Sequence, residues 1–335
     1  MVLRAPYVAA AVRMSMQILI VTPVPRGSRR GNRITADRYA RLLRRLGHRA
    51  LVAEDYRDQA CDVLVALHAR KSYEAIKRFR VRRPDAPLVV VLTGTDLYRD
   101  LPKSPAANES LRWATRLVLL QSDGVRFLPP EVRHKACAIV QSCEPPKVHP
   151  RPLSAAFEVT TIGHLRAVKD PFRTALAARR LPADSRIQVV QLGASLSPAM
   201  ARRALAEQRR NLRYRWLGDV PRPKALRMLA RSRLTVVSSK LEGGPNVVSE
   251  ALAVGTPVLA SRISGVVGML GADYPGYFDV RDTAGLTALL LRAERDAKFY
   301  EQLRLHCRSL APTVEPRREL AAWKELLAEL RPPAK

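Results

Sequence analysis

The sequence predicts an α/β protein made of two parallel-sheet units, and three observations carry that prediction. Near-continuous apolar, β-branched runs alternate with helical patterns, as expected for strands buried on both faces of a parallel sheet. The series occurs twice, once from Gln17 and again from Phe157. Between the two lies EPPKVHPRPLSAA, whose prolines read as an interdomain linker around Cys143 to Ala156. With 335 residues the chain is long enough for two domains, each with its own core. The expected division is an N-terminal extension over 1–15, a first domain over 16–148, a second over 149–311 and a C-terminal helix over 312–335.

Met1 to Ser15 contains Arg4, Arg13 and a short Ala/Val run. Its apolar centre is marginal for a signal peptide and no polar cleavage region follows, so an extended start is expected, with Met14 or Met16 as the natural one. A strand over Ile18 to Thr22 opens the first unit, followed by a loop and a helix from Ile34 to Leu46. HRALVAE, CDVLVALH, a helix from Ser72, PLVVVLTGTD and RLVLLQS then continue the alternation. Ligands of such sheets bind at the carboxyl ends of strands, so the loops there carry the functional reading. The first, PVPRGSRRGNR, combines Gly27 and Gly31 with Arg26, Arg29, Arg30, Asn32 and Arg33; its glycines allow close backbone approach and its arginines suit an anion. Solvated surface arginines are the competing reading. The third strand ends at His68, Arg70, Lys71 and Ser72, leaving open a structural histidine or a phosphate contact. The fourth ends at Thr93, Thr95, Asp96 and Tyr98, where Asp96 fits ligand orientation and loop capping equally.

The second unit begins with FEVTTIGHLRAVKDP, continues through RIQVVQLGAS and RYRWLGDVPRP, and reaches SSKLEGGPNVVSEALAVGTPVLA over 238–260. Leu234 to Val237 suits a buried strand, Ser238 to Gly244 breaks it, and a helix follows with Pro245 as its first helical residue and Gly255 just past its end. Thr256 to Ala260 resumes as a strand. Amides of Gly243, Gly244 and Asn246 at the helix start favour a phosphate, helped by the helix dipole. Glu242 lies in the turn and Glu250 roughly 7 Å further along the helix at about 1.5 Å per residue. Neither carboxylate suits a phosphate, but both accept from hydroxyls. Hydroxyls on both sides of a diphosphate describe a nucleotide sugar. After Asp282 the chain becomes helical, and Leu320, Trp323, Leu326, Leu327 and Leu330 give the last helix an apolar face.

The formal charge of +28 comes mostly from arginines spread over both halves, and aromatic content is only 5%. No zinc-finger spacing or RNA-binding signature appears, so specific nucleic-acid binding is not expected. A general attraction to anions is. Apolar content of 47% contains no run approaching a membrane span. Cys61, Cys137, Cys143 and Cys307 form neither a CxxC pair nor a disulfide framework, which points to a reducing cytoplasm. No Asp-x-Asp metal motif is present and no cofactor is expected.

Glu242 and Glu250, separated by seven residues in the setting EGGPNVVSEALAVGTPV, resemble the donor motif of the large retaining GT-B glycosyltransferase family. The resemblance implies two Rossmann-like domains facing a central cleft, a UDP-sugar as donor, Glu242 on hydroxyls of the transferred sugar and Glu250 on the ribose. It places the Gly243–Gly244 amides near the diphosphate, with Pro245, Asn246 and Val247 in the same turn, and Gly193 where the nucleotide passes the backbone. Gly163 and Lys169 match the family's Gly-Arg-Leu and following lysine, but His164 stands in the arginine position and Arg166 lies two further on. Lys169, assisted by Arg166 and with His164 as a hydrogen-bond donor, is therefore expected to hold the diphosphate. The Gly27–Arg33 loop falls where the family places the acceptor.

TPVPRGSRRGNRITA, VALHARKS, LTGTDLYRDLP, GHLRAVKDPFR and SKLEGGPNVVSEALA together are similar, across nearly the whole chain, to the selenosugar synthases of selenoneine biosynthesis. That resemblance implies selenophosphate as acceptor, UDP-N-acetylglucosamine as the usual donor and a 1-selenosugar as product. A GT-B transferase for a cell-envelope or other small-molecule acceptor is the alternative. Oligomeric state is not readable from the sequence.

Overall fold

A computed structural model describes residues 15–28, 31–147 and 150–331. The expected extension therefore lies, but for Ser15, outside the described residues, as do Arg29 and Arg30. In the first half the chain forms β1 (Gln17–Val21), α1 (Gly31–Arg45), β2 (Arg49–Ala53), β3 (Val63–Leu67), α2 (Tyr73–Arg82), β4 (Leu88–Leu92), α3 (Pro105–Trp113), β5 (Arg116–Leu119) and β6 (Ala136–Ala138). These strands make one parallel sheet in the order β2-β1-β3-β4-β5-β6. Every residue of β3 and β4 is buried, as their unbroken apolar runs require, whereas edge strand β2 buries only Ala50.

The second half contains β7 (Phe157–Ile162), α4 (Arg173–Ala178), β8 (Ile187–Leu192), α5 (Pro198–Arg210), β9 (Tyr214–Trp216), α6 (Arg222–Arg231), β10 (Leu234–Val237), α7 (Asn246–Val254), β11 (Val258–Ser261), α8 (Ser264–Leu270), β12 (Tyr277–Phe278), α9 (Thr283–Arg295), α10 (Ala297–Leu310) and α11 (Pro316–Glu329). Its parallel sheet runs β12-β11-β10-β7-β8-β9. In each sheet the strand order reverses once, between β1 and β3 and between β7 and β10. Loops leaving those neighbouring strands part to opposite sides and open a crevice at the carboxyl end.

Two boundaries differ from the sequence expectation. α1 starts at Gly31, not Ile34, so Gly31, Asn32 and Arg33 form its first turn; Arg33 is buried and its Nε donates to Asp37 Oδ2 at 3.1 Å, one turn on. Pro245 occupies the cap position of α7 rather than its first helical residue: its backbone is extended (φ −71°, ψ 116°) and its carbonyl accepts from Val248 N at 2.9 Å. At the other end Gly255 adopts the left-handed conformation (φ 75°) and the amide of Thr256 returns to the Ala251 carbonyl at 3.0 Å.

α11 packs away from the second sheet. Trp323, Leu326, Leu327 and Leu330 share a core cluster with Tyr39, Leu43, Ile18 and Ile20 of the first half, and Trp323 meets Tyr39 edge-on with ring centroids 4.7 Å apart. Glu319 on the same helix is fully buried, pairs with Arg38 of α1 and accepts from Ser142 N at 2.8 Å and Ser142 Oγ at 2.7 Å. One carboxylate thus joins the last helix, the first helix and the start of the linker.

Candidate active site

At the β7/β10 crevice the loop after β7 is stapled to the loop after β10. Lys240 N donates to Val168 O at 2.8 Å, and Ser238 Oγ donates to Asp170 O at 2.9 Å. Asp170 itself takes a left-handed backbone (φ 44°) and ends the short helical turn that presents Lys169. The staple brings the Lys169 ammonium into an ion pair with Glu242, whose Oε1 also accepts from Ser239 Oγ at 2.6 Å. Arg166 is exposed in the same loop. Behind it, Gly163 and Gly193 touch backbone to backbone: a Cβ on Gly193 would collide with the Gly163 carbonyl, and both have positive φ. His164 Nδ1 accepts from Ala194 N at 3.2 Å, so a neutral ring carries its proton on Nε2.

In the second turn of α7, Glu250 has a different environment. Its Oε1 accepts from Arg222 Nε at 3.1 Å, and the side chain retains only 13% exposure. Burial raises its pKa above the ordinary carboxylate value despite the opposing Arg222 and Arg38 charges. Arg222 Nη2 also lies 3.7 Å from the Cys143 sulfur. Cys143 is buried and its thiol pKa is pushed up to about 11, mainly by burial and then by Glu250, so it stays a protonated spectator. At the start of α7 Asn246 is exposed, while Val247 turns into the core.

The first sheet contributes its own rim. Gly27 is left-handed (φ 81°) with open space where a Cβ would stand, and Arg26 is exposed with its amide on Glu54 Oε1 at 3.1 Å. Asp96 is fully buried and accepts from Thr93 N at 2.9 Å, Gly94 N at 2.8 Å and Ala69 N at 3.2 Å. Its carboxylate therefore caps this loop and ties it to the one after β3, instead of facing the cleft. Arg70 pairs with Asp100 at 2.9 Å, and His68 is buried with Nε2 3.1 Å from Thr95 Oγ1. Of the acceptor residues read from sequence, Arg33 and Arg70 are thus held by carboxylates, and Arg26, Gly27, Thr93 and Thr95 line the rim.

The two rims touch. A Cβ on Gly94 would stand 2.5 Å from Gly243 N, one on Gly243 would stand 2.5 Å from the Thr93 carbonyl, and one on Gly244 would stand 2.6 Å from Leu120 Cβ. Ser264 Oγ completes the seam by donating to Asp123 Oδ2 at 2.6 Å and lying 3.1 Å from Tyr98 OH. Sequence reasoning missed Arg222, Ser239, Gly94 and Leu120. Arg222 and Leu120 carry no local signal because their partners lie far along the chain; Ser239, three residues before Glu242 in the same turn, was within reach of it. Among the described residues no group of His, Cys, Asp and Glu is arranged to hold a metal ion, and no helix is long and apolar enough to cross a membrane.

Two parallel α/β sheets whose carboxyl-end loops meet across one seam define the GT-B architecture. Residues 153–307 match the model of the family "glycosyl transferases group 1". The whole chain resembles the sucrose-phosphate synthase of Thermosynechococcus elongatus, with a TM-score of 0.75 at 14% identity over 93% of this chain and 98% of that one. It also resembles the Anabaena protein HepE in complex with UDP, with a TM-score of 0.70 at 14% identity over 94% and 100%. A trehalose-phosphate synthase from Burkholderia vietnamiensis gives 0.66 at 14% identity over 81% and 71%. No curated protein matches the sequence.

Proposed function

We propose that the protein is a glycosyltransferase that joins selenophosphate to the sugar of a UDP-sugar, UDP-N-acetylglucosamine by resemblance, and releases UDP. The observation that carries the donor half is the meeting of Lys169 and Glu242 at the β7/β10 reversal, beside the Gly243–Gly244 turn that starts α7. Support comes from the family match of residues 153–307 and from the likeness in fold to HepE in complex with UDP. Lys169 exchanges Glu242 for a diphosphate oxygen, and Glu242 turns to sugar hydroxyls. Amides at the α7 start and Arg166 add to the stabilisation of the leaving group without a metal ion. Glu250 takes ribose hydroxyls in place of Arg222.

The acceptor half rests on the anion-suited rim of the first sheet and on overall resemblance to selenosugar synthases. Selenium forms a bond to the anomeric carbon as the bond from that carbon to the UDP oxygen breaks. Water then cleaves the Se–P bond, giving phosphate and a 1-selenosugar. An anionic selenium nucleophile needs no general base for the first step. UDP release measured with selenophosphate, thiophosphate and phosphate tests the reading: selenophosphate-dependent release from UDP-N-acetylglucosamine is expected. No selenophosphate-dependent release from any common UDP-sugar would overturn the selenium assignment, and failure of UDP to bind would overturn the donor site too.

A further inference from the structure

His68, the residue after β3, has a left-handed backbone (φ 75°), a conformation unusual for a non-glycine residue and kept only where its surroundings hold it. They do so here. Its amide donates to Val91 O at 2.9 Å, its carbonyl accepts from Ser72 N at 3.0 Å, and the neighbouring Ala69 amide is held by Asp96. The ring is 1% exposed, with Nδ1 accepting from Lys71 N at 3.3 Å and Nε2 3.1 Å from Thr95 Oγ1.

Those contacts decide the tautomer. A backbone N–H on Nδ1 leaves the proton of a neutral ring on Nε2, so Nε2–H donates to Thr95 Oγ1. A hydroxyl has a single proton, and with its oxygen already accepting from the histidine, that proton is directed elsewhere. Thr95 is half-buried, adjoins Gly94 at the seam between the two rims, and follows β4 at the carboxyl end of the sheet, where the loop after β1 also emerges. Asp100 Oδ2 lies 3.7 Å from Nε2, too far to accept, and is occupied by Arg70. Burial lowers the imidazole pKa, against Asp96 and Asp100 and with Lys71 and Arg70, which keeps the ring in the neutral form the contact needs.

We propose that His68 positions Thr95 as a fixed hydrogen-bond donor to an oxyanion of the acceptor, so that Thr95 is the residue by which the first domain selects a phosphate-type anion. The inference rests on the acceptor site proposed above and assigns it a specificity-determining contact. In a UDP-release assay, Thr95→Val is expected to raise the KM for selenophosphate about tenfold, with the KM for UDP-sugar unchanged within about twofold. Thr95→Ser recovers the acceptor KM. His68→Ala behaves like Thr95→Val, and His68→Gln, which restores a donor near the Nε2 position, recovers part of the loss.

Calorimetric titration of inorganic phosphate into the UDP complex supplies a second measurement independent of selenium turnover, with weaker binding expected in Thr95→Val. Wild-type turnover of selenophosphate with an unchanged KM in both Thr95→Val and His68→Ala overturns the inference and leaves the proposed reaction standing. Absence of wild-type turnover together with phosphate binding that depends on Thr95 overturns the selenium assignment and leaves the oxyanion contact standing.

Discussion

Glu250 is a carboxylate whose burial on α7 works against stability. A carboxyl whose pKa is raised on folding binds its proton more tightly in the folded state, so ionising it costs stability. That cost is absent below the unfolded carboxylate range, about pH 4, and complete once the pH passes the raised value. Glu250→Gln is therefore expected to melt higher than wild type at pH 8, with the difference vanishing toward pH 4, as differential scanning calorimetry across that range would show. The same variant should bind UDP about tenfold more weakly, because a neutral amide is a poorer acceptor for ribose hydroxyls. A variant that loses no UDP affinity would remove Glu250 from the ribose. The carboxylate was visible in the sequence through its spacing from Glu242, but its burial and its Arg222 partner were not, since that partner lies on another helix.

In α11 the apolar pattern was legible and the anchor was not. Leu320, Trp323, Leu326, Leu327 and Leu330 recur at helical spacing, and four of the five are buried against the first half. Glu319 lies on that same face, where the pattern alone would place a hydrophobe, and it is tolerated there because Arg38 and Ser142 meet it. Glu319→Ala strands the partly buried Arg38 guanidinium and the buried Ser142 amide, and a loss of about 3 kcal/mol is expected in urea unfolding. An unchanged midpoint would show that the helix is held by its apolar face alone. The start of α1 is similar: Gly31 to Arg33 read as the end of a Gly- and Arg-rich loop, whereas they form the first turn of α1, where Arg33 pairs with Asp37 one turn on.

The two halves meet backbone to backbone at glycines of the seam. Gly243 has no unusual backbone conformation, so alanine there adds only a methyl group, aimed at the Thr93 carbonyl. Gly243→Ala is expected to leave both domains folded, to retain most UDP affinity and to lower turnover about a hundredfold, because the acceptor rim is held off the donor by roughly an ångström. Small-angle scattering should then give a larger radius of gyration than wild type. Equal radius and equal turnover would mean that reaction does not pass through this contact.

The amino-acid sequence by itself determined the two parallel-sheet units, the alternation of strands and helices along the chain, the strand–turn–helix around Glu242 and Glu250, and the likeness to nucleotide-sugar transferases. These follow from local patterns: apolar periodicity, a proline and glycine bracketing one helix, and a fixed spacing of two carboxylates. Only the tertiary structure decided that Lys169 pairs with Glu242, that Asp96 caps a loop, that Arg222 covers Glu250 and that Gly94 lies on Gly243. Asp96 had two local readings, and its buried bond to the Ala69 amide chose between them; the other three contacts join separate loops, helices or halves, which no local rule relates, and packing chooses which atoms touch.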